Sequence, residues 1–164
     1  SRGLGEVYKR QLIDNPKTKV HLAQAEGCSP IVQAFESASK EVRPVKPNTI
    51  AKSLAIGNPA AGPFSLEVLQ QTNGTATAAE EDSIVDGIKL LAETEGIFTE
   101  TAGGVVISGL KNLCDKGVIK SDEVTVAYIT GNGLKTQEAI AHVPDQLSTE
   151  PDYESCKIVL ENTF

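Results

Sequence analysis

The run Val124-Thr125-Val126-Ala127-Tyr128-Ile129 ends in Thr130-Gly131-Asn132-Gly133 and passes into a segment from Leu134 that can start a helix. An apolar, β-branched run bounded by a glycine turn reads as a buried strand. A strand that turns into a helix through Thr-Gly-x-Gly leaves a hydroxyl and bare backbone at its carboxyl end. In open α/β sheets that edge is where ligands bind. Phe98-Thr99-Glu100-Thr101-Ala102-Gly103-Gly104 repeats the arrangement, with small residues opening a helix after a short strand. In a parallel sheet the two turns share one edge and can line one cleft.

The rest of the chain alternates in the α/β manner. Thr18 to Gln24 reads as a strand, and Ser29-Pro30 supplies an N-cap and an N1 proline for a helix through Val32, Phe35 and Ala38. Pro44 and Pro47 keep residues 41–48 extended. Asn48 or Thr49 caps a short helix over Ile50, Ser53 and Leu54. Pro63 opens another over Leu66, Val68 and Leu69, stopped by Asn73-Gly74. Thr75 to Ala79 is a short strand. Ile84, Val85, Ile88 and Leu91 recur at helical spacing before Gly96, and Ile97 to Thr99 is a brief strand. Ala102 to Lys116 is a second helix, with Val106, Leu110, Leu113 and Cys114 on one face and Gly117 closing it. The expected fold is α/β, a small, mostly parallel sheet with helices on both faces, over residues 1–142. Residues 143–164, with Pro144 and Pro151, form a polar C-terminal tail.

At 164 residues the chain is long enough to bury one core. Its net charge is −7, and no basic cluster offers a nucleic acid an electrostatic footprint. No apolar run approaches the roughly 18–20 residues of a membrane span. Ser1 to Glu6 lacks the apolar core of a signal peptide, so a cytoplasmic location is expected. Cys28, Cys114 and Cys156 are widely spaced and read as reduced thiols. His21 and His142 are isolated, which argues against a metal site. The absence of Met means either a trimmed initiator or a piece of something longer.

Each turn alone admits a plain structural reading, since tight left-handed turns use Gly and Asn for steric reasons. Neither a dinucleotide fingerprint nor a P-loop occurs. Glu100 is either a general acid/base beside a ligand or a carboxylate favoured by a helix N-terminus. The Thr130 hydroxyl either meets a ligand nitrogen or caps the next turn. Gln24-Ala25-Glu26-Gly27-Cys28-Ser29-Pro30 is a third strand-to-helix passage. No His is placed by sequence to activate Cys28, which reads as a small buried residue.

These segments together resemble the C-terminal half of threonine synthase, of the fold-type-II pyridoxal-phosphate enzymes. The resemblance covers about residues 18–137. It is carried by Gln24 to Pro30, Arg43-Pro44 with Thr49-Ile50-Ala51, Ile56-Gly57-Asn58-Pro59, Glu93 to Gly104, and Ile129 to Thr136. Neighbouring dehydratases share the Glu-Gly-Ile-Phe and glycine-rich pieces. The resemblance implies part of that family's large domain, with Thr130 at the pyridine nitrogen of the cofactor. A neutral partner there leaves the ring nitrogen largely unprotonated and moderates its electron-sink character. Glu100, Thr101 and Ala102 would line the same pocket, and Gly131 would lie close to the ring. The family converts O-phosphohomoserine and water to threonine and phosphate by β,γ-replacement.

The family's Schiff-base lysine and its glycine- and asparagine-rich phosphate loop belong to its N-terminal half and have no counterpart in residues 1–164. Lys135 follows the glycine turn and is not that lysine. The resemblance therefore implies no catalytic residue in this chain, and pyridoxal phosphate not stably bound by it alone. Its expected partners are a second copy or the missing N-terminal half, with O-phosphohomoserine as substrate of the complete enzyme. Two alternatives stay open: a non-catalytic binding module derived from the fold, and a fragment of a relative such as threonine dehydratase.

Overall fold

The computed structural model describes residues 17–140 and 147–162. Ser1 to Glu6, His142, Pro144 and the expected boundary at 142/143 lie outside the described residues. Leu22–Ala25 (β1) and Ala76–Ala79 (β2) pair in parallel, Leu22 opposite Ala76 and Ala25 opposite Ala79. Between them run two helices, Pro30–Glu36 (α1) and Gly62–Gln71 (α2). After β2 come Glu81–Glu95 (α3) and Thr101–Asp115 (α4).

Strand alternation sorts the helices onto opposite faces. Leu22, Ala76 and Ala78 pack against α1 and α2, with Ile31, Val32, Leu66 and Leu69. Ala23, Ala25 and Ala79 pack against α3 and α4 through Ile84 and Val105. The expected α/β layering with helices on both faces is what forms. The alanines let α4 come close: a methyl group on Gly109 would lie 2.6 Å from Ala23 Cβ. Gly96 (φ 66°) and Gly117 (φ 67°) end α3 and α4 in the left-handed conformation, which glycine adopts without strain. Among the described residues no helix is long and apolar enough to cross a membrane.

Five expectations are corrected. The strand expected at 123–129 does not form, the segment pairing with no strand among the described residues, and Val124, Val126 and Tyr128 are 97%, 74% and 76% exposed. Its sequence suits burial on both faces, but a strand needs ladder partners, and the described residues supply none. Residues 97–99 make only an isolated antiparallel bridge, Thr99 to Asn132. The helices expected at 50–54 and from Leu134 are single 3-10 turns, Lys52–Leu54, Gly133–Lys135 and Gln137–Ile140. Each is too short to outweigh the cost of helix nucleation. On α4 the buried positions include Thr101, Ala102, Gly104, Val105, Ile107 and Ser108; of the expected face Leu113 is buried, whereas Val106 and Leu110 are half-buried and Cys114 is exposed. The tail contains one further helix, Tyr153–Glu161 (α5), whose N-cap Asp152 accepts from Ser155 N at 2.9 Å.

Candidate functional site

The two glycine turns meet at the start of α4. Glu100 N donates to Gly131 O at 3.1 Å, and Gly133 N donates to Phe98 O at 3.1 Å. Thr99 Oγ1 donates to Gly131 O at 3.0 Å, and Thr101 N donates to Thr136 Oγ1 at 3.1 Å. Four hydrogen bonds thus join segments more than thirty residues apart into one corner. They hold the Thr130-Gly131 backbone although the run that leads to it has no ladder.

Gly131 and Gly133 do not belong to left-handed turns, since the positive-φ residues among those described are Ala38, Asn73, Gly96 and Gly117. They are glycines because of close approach. A Cβ on Gly131 would meet Glu100 Oε1 at 1.9 Å, and one on Gly133 would meet the Phe98 ring at 2.4 Å. The Glu100 side chain is therefore folded behind the turn. It is buried, makes no capping bond to α4, and lies 3.9 Å from the Nζ of exposed Lys135. Glu100 is thus neither an exposed carboxylate nor one that hydrogen-bonds to the start of α4, although it occupies the N-cap position of that helix.

Thr130 is exposed, and its hydroxyl makes no hydrogen bond among the described residues. The capping role that sequence also allowed it belongs to Asn132, whose Oδ1 accepts from Leu134 N at 2.9 Å. Thr101 is fully buried, and its hydroxyl has no partner among the described residues. An unsatisfied buried hydroxyl costs about 1–3 kcal/mol and calls for an explanation. Ala102 is buried beside it, on the first turn of α4.

The passage from Gln24 to Pro30 lies at the same carboxyl edge but bonds elsewhere. Gln24 Oε1 accepts from Ile31 N at 2.9 Å and Val32 N at 3.1 Å, and so caps α1 in place of Ser29. Glu81, which sequence reasoning did not single out, clamps two loops. Its carboxylate accepts from Gly27 N (3.1 Å), Thr49 Oγ1 (2.9 Å) and Ile50 N (3.0 Å). An acidic residue in the first turn of α3 was the available signal, but its partners lie 31 to 54 residues away. Cys28 is 1% exposed, and burial pushes its thiol pKa up, which suits packing and not nucleophilic attack.

The family model "Pyridoxal-phosphate dependent enzyme" matches residues 1–131, and the chain belongs to that family. Within it the similarity is to threonine synthases. The chain is 40% identical over 140 residues to the threonine synthase of Methanocaldococcus jannaschii, covering 84% of this chain and 35% of that protein. It is 36% identical over 124 residues to that of Methanosarcina acetivorans, covering 75% and 31%. The chain thus spans about a third of the length of these curated relatives, and matches their C-terminal part. Among solved structures, a fungal L-serine ammonia-lyase from Rhizomucor miehei superposes with a TM-score of 0.64 at 20% identity, over 84% of this chain and 45% of that one. Threonine synthase from Escherichia coli gives 0.60 at 12% identity, over 88% and 37%. These two likenesses concern the fold.

Pyridoxal phosphate is therefore the parent family's cofactor, and the corner can be tested against it. The free Thr130 hydroxyl, the bare Gly131 backbone and the orphaned Thr101 hydroxyl suit one side of a polar aromatic group. The corner has no cationic cluster among the described residues to neutralise a phosphate.

Proposed function

We propose that this chain forms the C-terminal wall of a pyridoxal-phosphate-dependent site of threonine-synthase type. In that reading the complete enzyme converts O-phosphohomoserine and water to threonine and phosphate. The observation that carries the proposal is the Thr130 hydroxyl. It has no hydrogen-bond partner among the described residues, and it lies in a corner that four hydrogen bonds join. When bound, pyridoxal phosphate supplies an electron sink for the substrate's reacting carbons.

This chain's part is to hold and orient. Thr130 would hold the ring nitrogen of the bound cofactor through its hydroxyl and, being neutral, would leave that nitrogen largely unprotonated. Gly131 lets the backbone approach the ring, with the Glu100 carboxylate fixed behind it. Thr101 and Ala102 close the inner side. The lysine and the phosphate contacts come from the part of the relatives that this chain does not span, so the chain alone is inactive.

The test has two arms. Borohydride reduction of the chain with pyridoxal phosphate, followed by peptide mass analysis, should give no stoichiometric adduct at any one lysine; such an adduct would refute the division of labour. In the second arm, the chain is mixed with the portion of the Methanocaldococcus jannaschii relative that precedes the matched region. In that mixture Thr130→Ala and Thr130→Asp should each shift the cofactor absorption band and lower the rate. Unchanged spectra in both variants would remove Thr130 from the ring nitrogen.

A further inference from the structure

Between α1 and α2 the chain runs from Ser37 to Ala61 with one 3-10 turn, Lys52–Leu54, on the way. Connections longer than about 12–15 residues without structure of their own are usually functional or disordered, and this one is fastened down. Its central strap, residues 48–54, crosses the carboxyl edge of the sheet, where Gly27 follows β1 and Glu81 follows β2. Asn48 N donates to Gly27 O at 2.8 Å. Glu81 Oε1 accepts from Gly27 N, and its Oε2 accepts from both Thr49 Oγ1 and Ile50 N. The Thr49 hydroxyl passes the hold along the strap, because it also accepts from Ala51 N at 3.1 Å. Ala51 is fully buried, and with Leu54 it packs against Ile84 and Val105. Just beyond the strap, the backbone of Ile56 hydrogen-bonds the thiol of buried Cys28.

We infer that Glu81 is a positioning residue of the candidate site: its carboxylate latches the strap 48–54 to the sheet edge, and the latched strap sets the first turn of α4. An acidic side chain in the first turn of α3 is favourable with the helix dipole, but that does not explain what Glu81 bonds to. All three of its donors lie outside α3, in two loops. An ionised carboxylate only accepts, and does so at both oxygens, so it can draw donors from two loops to one point. The strap reaches the site through Val105. Val105 stands four residues after Thr101, on the same face of α4, and helical side chains lean toward the helix start. The packing that seats Val105 therefore also seats the turn that carries Thr101 and Ala102, both buried. Glu81 touches neither ligand nor corner in this arrangement; it acts through Thr49, Ala51 and Val105.

The bearing on catalysis rests on the function proposed above, whereas the latch is tested on the full chain alone, so the two fail separately. Glu81→Gln keeps one acceptor oxygen and turns the other into a donor, so Gly27 and the Thr49–Ile50 pair cannot both be held. Thr49→Val removes the relay, and Thr49→Ser keeps it. Iodoacetamide labelling read by peptide mass should be at least 100-fold slower at Cys28 than at exposed Cys114 and Cys156. Glu81→Gln and Thr49→Val should each speed Cys28 labelling at least tenfold, and Thr49→Ser should not. In the same two variants hydrogen exchange at the Thr101 and Gly104 amides should quicken at least tenfold, with the amides of residues 110–115 unchanged. Release of a strap exposes little surface, so the labelling rate should barely respond to urea below the unfolding midpoint. Labelling that climbs with urea as steeply as global unfolding would make Glu81 a stabiliser of the fold only and overturn the inference. Faster labelling with the α4 amides unmoved would overturn it too. In the mixture with the preceding portion of the Methanocaldococcus jannaschii relative, both latch variants should lower turnover at saturating substrate at least fivefold, and Thr49→Ser should not. Full turnover with a released strap would overturn the positioning role and spare the enzyme reading. A natural mixture without turnover would count against the enzyme reading alone, and labelling and exchange would still decide the latch.

Discussion

A methyl group on Gly131 would lie 1.9 Å from Glu100 Oε1, closer than any unbonded pair tolerates, so a substitution there must displace a buried carboxylate. Gly131→Ala should cost about 1–3 kcal/mol, the usual range for overpacking. In the background of Glu100→Ala, which removes the obstructing carboxylate, the same change should cost well under half as much. Urea unfolding of the two single variants and the double variant measures the coupling. Additive effects would mean that Glu100 does not limit the space behind the turn. At this scale the sequence was informative in part. Small residues around Thr130 and Glu100 announced a close approach of backbone. The reason for the glycine at 131 was not legible, because the group that needs the space sits 31 residues earlier in the chain. Glu81 escaped notice for the same reason: what makes it a clamp is the return of two distant loops to its carboxylate.

Between elements, the closest fit joins α3 to α4. A Cβ on Gly104 would meet Ile84 O at 2.4 Å, and one on Gly87 would meet Gly104 O at 2.5 Å. Both obstructing atoms are backbone of a helix and cannot swing aside, so relief requires the helices to part. Gly104→Ala should therefore destabilise the fold by about 1–3 kcal/mol, although alanine is the better helix former by about 1 kcal/mol. Chemical denaturation decides the sign; a neutral or stabilising result would show that the helix pair is loosely held. The period of Ile84, Ile88 and Leu91 marked α3, and glycine at C′ marked the ends of both helices. Ala76 to Ala79 forms the short strand expected over Thr75 to Ala79, through pairing with β1. The run at 123–129 had the stronger strand composition and did not pair. Strand formation depends on a neighbour's backbone, whereas a helix satisfies its own.

Across the whole molecule, the least settled polar group beside β1 is His21. Its Nδ1 is buried without a partner among the described residues. Burial, with a smaller contribution from Lys19, lowers its pKa from the ordinary 6.5, against an opposing pull from Glu123. A depressed folded-state pKa means that the unfolded chain takes up the proton first. The stability linked to His21 is then present above about pH 6.5 and is lost as the pH falls through the lowered folded value. Unfolding midpoints at pH 7.5, 6.5 and 5.5 should decline more for the natural chain than for His21→Asn. Equal slopes would show that the imidazole is indifferent to folding. By itself the sequence determined the α/β class, the principal helices and their glycine stops, and membership of a pyridoxal-phosphate family. All of these are carried by local periodicity and short motifs. Only the tertiary structure decided that Glu100 stands behind Gly131, that Asn132 and not Thr130 caps the turn, and that the strongest apolar run pairs with no strand among the described residues. Those outcomes depend on which distant backbone comes alongside, and no local pattern of residues contains that information.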